Sequence, residues 1–274
     1  MCRFLAYSGP STLMQPWLLD SSYSLVSQSR YARMRFEPVN GDGFGVGWYP
    51  AHDDPIPGTF VSIEPAWSNR NLREIASKVP TRHFFAHVRD ATPGMPVSQS
   101  NCHPFQHDRW LWMHNGFFGD FQRSRRDFLS ALSDASFNMI TGNTDSEHGF
   151  ALFLDEIGHD DQGNIMPANT AYAVVAMRNT IRRIIKIREK AGCESEAHMN
   201  FAVTNGSMSL FTRFSSDTGK PPPTLFYHED NGATIVASEP LMDSEHWQAV
   251  NEDSILVLDQ GKALEVSALN LKED

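Results

Sequence analysis

Short apolar runs, broken by polar and turn-forming positions, dominate the first half of the chain. The runs RFLAY from Arg3, FGVGWY from Phe44, TFVSI from Thr59, HFFAHV from His83 and RWLWM from Arg109 are rich in aromatic or β-branched residues. Each is bounded by Gly, Pro, Asn or Asp, which predicts strands. A helical block follows. In TDSEHGFALFLDEIG, Thr144 and Glu147 have the T-x-x-E spacing of a capping box, with Thr144 as N-cap and Gly158 placed to end the helix. A second helix is predicted from about Ala168 to Lys190, closed by Gly192. Strand-like runs return in NFAVTNG, LFTRF, TLFYHE, TIVASE and SILVLD.

Strands, then helices, then strands again predict an α+β layered architecture, with helices packed outside sheets rather than alternating βαβ units. No shift of composition marks a linker: PIPG near Pro55 and KPPPT near Pro221 have the length of loops between strands. No internal repeat recurs at a fixed period. The expectation is one domain over residues 1–274.

Composition narrows the function class. Of 274 residues, 41% are hydrophobic and 20% charged, which excludes global disorder. A formal net charge of -10 argues against a nucleic-acid partner, because phosphate neutralisation needs clustered Lys and Arg. One run opposes that balance: RNTIRRIIKIREK, from Arg178 to Lys190, places apolar Met177, Ile181, Ile184 and Ile185 at helical spacing and leaves its basic residues largely on the other side. That side is either a solvated face or a docking surface for an acidic partner. Cys2, Cys102 and Cys193 are too few and too scattered for a disulfide framework. No stretch has the apolar length of a membrane span and the N-terminus lacks a secretion signal, so a cytoplasmic protein with no membrane partner is expected.

Several motifs fail on inspection. In NGDGFGVGWY, a G-x-G-x-x-G frame from Gly41 ends on Val46 and one from Gly43 ends on Trp48; the Lys of a phosphate-binding loop is absent too. The stretch instead describes a strand with one face stripped of side chains, where another backbone or a ligand can approach. His83 and His87 have zinc-helix spacing but no Glu between them, in a strand-like segment. Cys102, His103 and His107 form a metal-capable group without a second cluster. No G-x-S-x-G elbow is present.

Four segments make chemical sense together. Removal of Met1 would give Cys2 both a thiol and a free α-amine of ordinary pKa about 7.7 to 8.0, so nucleophile and base share one residue. Arg89 offers a bidentate fork for a carboxylate. Asn115 and Gly116, in HNG, offer a side-chain amide and a backbone N–H to an oxyanion, and Asp145 offers an anion to an ammonium group. Each has a plainer reading. Asn-Gly is a hairpin-turn signal, Asp145 complements a helix dipole, Arg89 is a surface charge, and Cys2 is a small packed hydrophobe.

With these residues in the order MCRFLAY, NGDGFGVGWY, AHVRDAT, NCHPF, HNG and TDSE, the chain resembles the class II glutamine amidotransferases, N-terminal-nucleophile (Ntn) hydrolases whose mature chain begins with cysteine. Larger synthase members carry R-W-A-T-H-G where this sequence has Arg89, Asp90, Ala91, Thr92, Pro93 and Gly94; only Arg89, Thr92 and the small residues between and after them agree. FAVTNG, VASEPL and SILVLDQGKALEV are similar to the small stand-alone branch that includes the γ-glutamyl amidohydrolase of ergothioneine biosynthesis. The resemblance implies a four-layer αββα fold, Cys2 as nucleophile, Asn115 and Gly116 as oxyanion donors, and Arg89, Thr92 and Asp145 as holders of the substrate's amino-acid head group. It implies no metal and no organic cofactor, and often a homodimer. Three activities stay open: hydrolysis of glutamine or a γ-glutamyl compound, a glutaminase subunit feeding ammonia to a separate synthase partner, and a binding protein that kept the pocket without turnover.

Overall fold

All ten strand-like runs of the sequence become strands in the computed structural model, which describes residues 2–34, 39–50, 54–91, 96–259 and 264–271. In chain order the first are β1 (Arg3–Leu13), β2 (Phe44–Trp48), β3 (Gly58–Ser62), β4 (Pro80–Val88), β5 (Phe105–His107) and β6 (Trp110–Phe118). The rest are β7 (Ala197–Thr204), β8 (Met208–Arg213), β9 (Phe226–Asp230), β10 (Ala233–Ala237), β11 (Gln248–Ala249), β12 (Ser254–Asp259) and β13 (Glu265–Ala268). The helices are α1 (Leu25–Arg30), α2 (Arg70–Lys78), α3 (Phe121–Ser130), α4 (Asp134–Asn138), α5 (Asp145–Ile157) and α6 (Thr170–Lys190).

The strands form two antiparallel sheets. One has seven strands in the order β11-β9-β10-β1-β4-β2-β3; the other has six in the order β13-β12-β8-β7-β6-β5. Because successive side chains of a strand point to opposite faces, each strand feeds two layers. Leu5, Tyr7, Phe84 and Ala86 pack outward with Leu25 and Val26 of α1 and Leu72 and Ala76 of α2. Phe4, Ala6, Phe85 and Val236 point inward and meet Leu111, Met113, Ala202, Phe211 and Leu256 of the second sheet. On that sheet's outer face, Trp112 and Phe201 pack with Phe128 of α3, Phe150 and Leu154 of α5, and Met177, Ile181 and Ile184 of α6. The result is a four-layer αββα sandwich, the architecture the sequence resemblance implies.

The structure amends three local expectations. Asn115 and Gly116 lie in the middle of β6, paired with Asn200 and Met199 of β7, so HNG is not a turn. Glycine is required there because a Cβ would overlap the His198 carbonyl. The capping box is half formed: Thr144 Oγ1 accepts the Glu147 N–H at 3.2 Å, but the Glu147 carboxylate turns to the N–H groups of Thr141 and Gly142 at 2.8 and 2.7 Å. Finally, α6 starts at Thr170, where the Asn169 side chain caps the Tyr172 N–H at 2.9 Å.

Much of the α6 basic face is bound within the chain. Arg178 donates to the Ala268 carbonyl and Arg182 to those of Asn270 and Leu271, Arg183 pairs with Asp155 and Glu156, and Arg188 donates to the Gly119 and Ser195 carbonyls. Among the described residues, no helix is long and apolar enough to cross a membrane.

Candidate active site

The layer between the sheets changes character at one end. Continuing the alternation of β1, β4, β6, β7 and β10 beyond their apolar members brings Cys2 after Phe4, His87 and Arg89 after Phe85, Asn115 after Met113, Asn200 before Ala202, and Ser238 after Val236. Polar side chains thus converge on the same inner face, where one rim of the sandwich becomes a site.

Cys2 is half-buried. Its Sγ accepts the Asp90 N–H at 3.5 Å and lies 3.6 Å from the Asp90 carbonyl. Burial pushes the thiol above its ordinary value, and the Asp90 N–H and Arg89 oppose that shift. The Cys2 carbonyl accepts from Arg3 Nη1 at 2.9 Å, and Arg3 Nε pairs with Glu239 at 2.7 Å, both side chains fully buried. The Glu239 carboxylate also accepts the N–H groups of Arg33 and Met34. The strand that begins beside Cys2 is therefore tied down by a buried ion pair, and Met1, whose removal the expected amine chemistry requires, lies outside the described residues.

Arg89 is buried rather than a surface charge. Its guanidinium reaches the carbonyls of Asp42 and Pro96 only at 3.4 and 3.3 Å, long contacts that leave donors of the five-proton fork for a carboxylate. The backbone around it is gripped by the NGDG segment: Arg89 N–H to the Gly43 carbonyl at 2.8 Å, and Ala91 N–H to Asp42 Oδ2 at 2.8 Å. Gly43 sits at φ 120°, with a Cβ there meeting Cys102 Sγ and the Ser62 carbonyl. The stripped face of β2 receives protein: the His103 carbonyl against Gly45, and Pro104 and Leu111 against Gly47. Thr92 lies outside the described residues.

Asp145 opens α5, but it does more than complement the helix dipole. Its Oδ2 accepts the Phe118 N–H at 2.7 Å and its Oδ1 the Ser146 N–H at 2.8 Å, which bolts the carboxylate to the end of β6. Ser146 Oγ lies 2.9 Å from His114 Nδ1, and His114 Nε2 lies 2.8 Å from the His198 carbonyl. A carbonyl only accepts, so Nε2 carries the proton; burial keeps this ring neutral, and its Nδ1 accepts from Ser146. Asn115 is fully buried, with Nδ2 3.2 Å from Ser238 Oγ and no partner for Oδ1 among the described residues.

These contacts close a ring. Cys2 meets Asp90 beside Arg89; Arg89 and Asn101 share the Pro96 carbonyl; Asn101 is doubly bonded to Asn143, two residues before Asp145. Asp145 holds Phe118 of β6, three residues after Asn115, and Asn115 reaches Ser238, whose Oγ accepts the N–H of Phe4 at 3.0 Å. The structure so brings together Cys2, Arg89, Asn115, Gly116 and Asp145. Sequence reasoning missed Arg3, Glu239, Ser238, Asn101 and Asn143, because nothing local distinguishes a side chain that braces a distant segment. The one visible hint was a charged pair of residues, Arg3 and Glu239, at the ends of apolar strand runs.

His87 and His103 sit with ring centroids 4.2 Å apart, His87 Nε2 3.3 Å from the His114 carbonyl. Burial holds His87 down to about 3 and His103 well below its ordinary value, consistent with packing roles. Cys102 is raised to about 11 by burial and contacts the Ser62 and Ser98 carbonyls. Among the described residues, no group of three or more His, Cys, Asp or Glu is arranged to hold a metal ion.

Comparison with known proteins places this geometry. A family described as glutamine amidotransferases class-II matches residues 13–217. The probable glutamine amidotransferase DUG3 of Saccharomyces cerevisiae is 35% identical over 94% of this chain and 82% of its own length. The γ-glutamyl-hercynylcysteine sulfoxide hydrolase of Mycobacterium tuberculosis is 26% identical over 98% of this chain and 97% of its own. Among solved structures, a glutamine aminotransferase class-II domain protein from Silicibacter pomeroyi superposes with a TM-score of 0.70 at 25% identity, covering 97% of this chain and 99% of that one. The PRPP amidotransferase of B. subtilis shares the fold at 13% identity, with a TM-score of 0.63 over 99% of this chain and 50% of that one. The family match and these relatives agree, and the chain belongs to the class II glutamine amidotransferase family of enzymes.

Proposed function

We propose that the protein hydrolyses the γ-amide of glutamine or of a γ-glutamyl compound through a thioester on Cys2. The observation that supports this reading is the closed ring of contacts that gathers a thiol, a guanidinium, a carboxylate and an amide at one rim of the inter-sheet layer. Arg89 holds the substrate α-carboxylate in its fork and Asp145 the α-ammonium, which presents the γ-carbonyl to Cys2.

With Met1 removed, the Cys2 α-amine takes the thiol proton, directly or through water. This relay matters because burial disfavours a standing thiolate at Cys2. The sulfur attacks the γ-carbonyl, and the oxyanion is stabilised by the Asn115 amide and the Gly116 N–H, each such donor contributing about 2.7–4 kcal/mol. The amine's proton passes to the leaving nitrogen as the C–N bond breaks. Water then attacks the thioester, releasing glutamate and restoring the thiol.

A free-standing hydrolase is favoured over an ammonia donor because the basic face of α6, the surface a synthase would use, is largely bound to its own chain. The test is glutamate release from L-glutamine and a panel of γ-glutamyl amides, using protein whose N-terminal mass shows Cys2 exposed, with Cys2→Ala alongside. Turnover by wild type that vanishes in the variant is expected; equal release by both would overturn the reading.

A further inference from the structure

We propose that Ser238 is a positioning residue of this site, one that fixes the plane of the Asn115 amide against the strand carrying the nucleophile. The inference rests on the reading above, in which Asn115 serves the oxyanion.

Ser238 follows the last residue of β10 and is completely buried. Its backbone is already clamped: its N–H donates to the Phe4 carbonyl at 3.0 Å and its carbonyl accepts from Thr224 Oγ1 at 2.8 Å. The hydroxyl is therefore delivered to a fixed point rather than to a rotating loop. There it meets two groups, the Phe4 N–H at 3.0 Å and the Asn115 side-chain amide at 3.2 Å. Phe4 belongs to the first sheet, two residues beyond Cys2, and Asn115 to the second. This single oxygen joins nucleophile and oxyanion donor across the space between the sheets.

Proton accounting allows the contact two arrangements. Phe4 N–H can only donate, so the Ser238 oxygen accepts there and its own proton needs an acceptor. Asn115 Oδ1 is buried and has no donor among the described residues. The amide nitrogen and oxygen are interchangeable by a half-turn of the side chain. With the half-turn, Ser238 O–H donates to the amide oxygen, and the Nδ2 protons take the position that faces no protein acceptor among the described residues. Both Nδ2 protons are then free of Ser238. Without it, Ser238 still accepts from Nδ2 and sets the same plane. In either arrangement, losing the hydroxyl frees the amide to rotate, and a donor that must be ordered during the reaction stabilises the oxyanion less than one already aimed.

The experiment compares wild type, Ser238→Ala and Ser238→Thr on the best γ-glutamyl substrate found with mass-verified protein. Three readouts are taken: kcat, the inhibition constant of the product glutamate, and the rate of Cys2 alkylation by iodoacetamide. Ser238→Ala is expected to lower kcat about 10- to 100-fold, with glutamate affinity and alkylation within about threefold of wild type, and Ser238→Thr to recover most of the loss. Loss of kcat, glutamate affinity and alkylation together would overturn the assignment in favour of a purely structural role, as would an unchanged kcat in Ser238→Ala. Wild type that releases no glutamate from any substrate would defeat the functional reading itself and the assignment with it, an outcome distinct from active wild type with an indifferent Ser238.

Discussion

Acid should destabilise this fold well before its carboxylates titrate. His83 is buried against Thr204 and Ser209 at 2.9 and 3.3 Å, and His87 lies between the sheets; burial holds them at about 4 and about 3, against an ordinary 6.5. In the unfolded chain both take a proton as pH falls through 6.5, while in the folded chain both stay neutral. The unfolded state then binds more protons, so stability falls with falling pH. Between pH 7.5 and 5.5 each group costs RT ln(1 + 10), about 1.4 kcal/mol, and the pair about 3 kcal/mol. His103, His114, His148 and His198 shift in the same direction and add to the pair, while Glu147, whose carboxyl burial raises, offsets part of that addition. At roughly 2 °C per kcal/mol for a chain this long, Tm should drop by about 6 °C or more over that window. The assay is circular-dichroism melting at fixed ionic strength in steps of half a pH unit. A Tm flat from pH 7.5 to 5.5 would refute the neutrality of these histidines.

Three further outcomes are expected. Asn115→Ala should lower kcat for glutamate release 10²- to 10³-fold in steady-state kinetics; a loss under tenfold would exclude it as an oxyanion donor. Arg89→Lys keeps the charge but replaces the fork by a point donor, so KM for glutamine should rise about tenfold or more in steady-state kinetics, and an unchanged KM would remove Arg89 from carboxylate binding. Glu239→Ala removes the buried carboxylate that faces Arg3 and should cost about 3–5 kcal/mol by urea unfolding; a loss below about 1 kcal/mol would show the pair to be replaceable by solvent.

The chain's own pattern determined the elements. Runs of aromatic and β-branched residues bounded by turn formers marked the long strands, helical spacing marked α6, and the caps Thr144 and Gly158 marked α5, because composition of a run, helix periodicity and capping depend on residues a few positions apart. The motif residues Cys2, Arg89, Asn115, Gly116 and Asp145 were legible too, as side chains whose chemistry made sense jointly. Sequence alone could not make HNG a strand interior, since an Asn-Gly pair carries the same local signal in a turn; pairing with Asn200 and Met199, 85 and 83 residues away along the chain, decided it. Nor could it show that Arg89 is buried, or that Arg3, Glu239 and Ser238 brace the strand beside Cys2 and the Asn115 amide. Those roles arise only where β1, β4, β6 and β10 from two sheets end at a common rim, and a buried ion pair or a hydroxyl spanning two sheets acquires its energy from desolvation and from partners 100 or more residues distant.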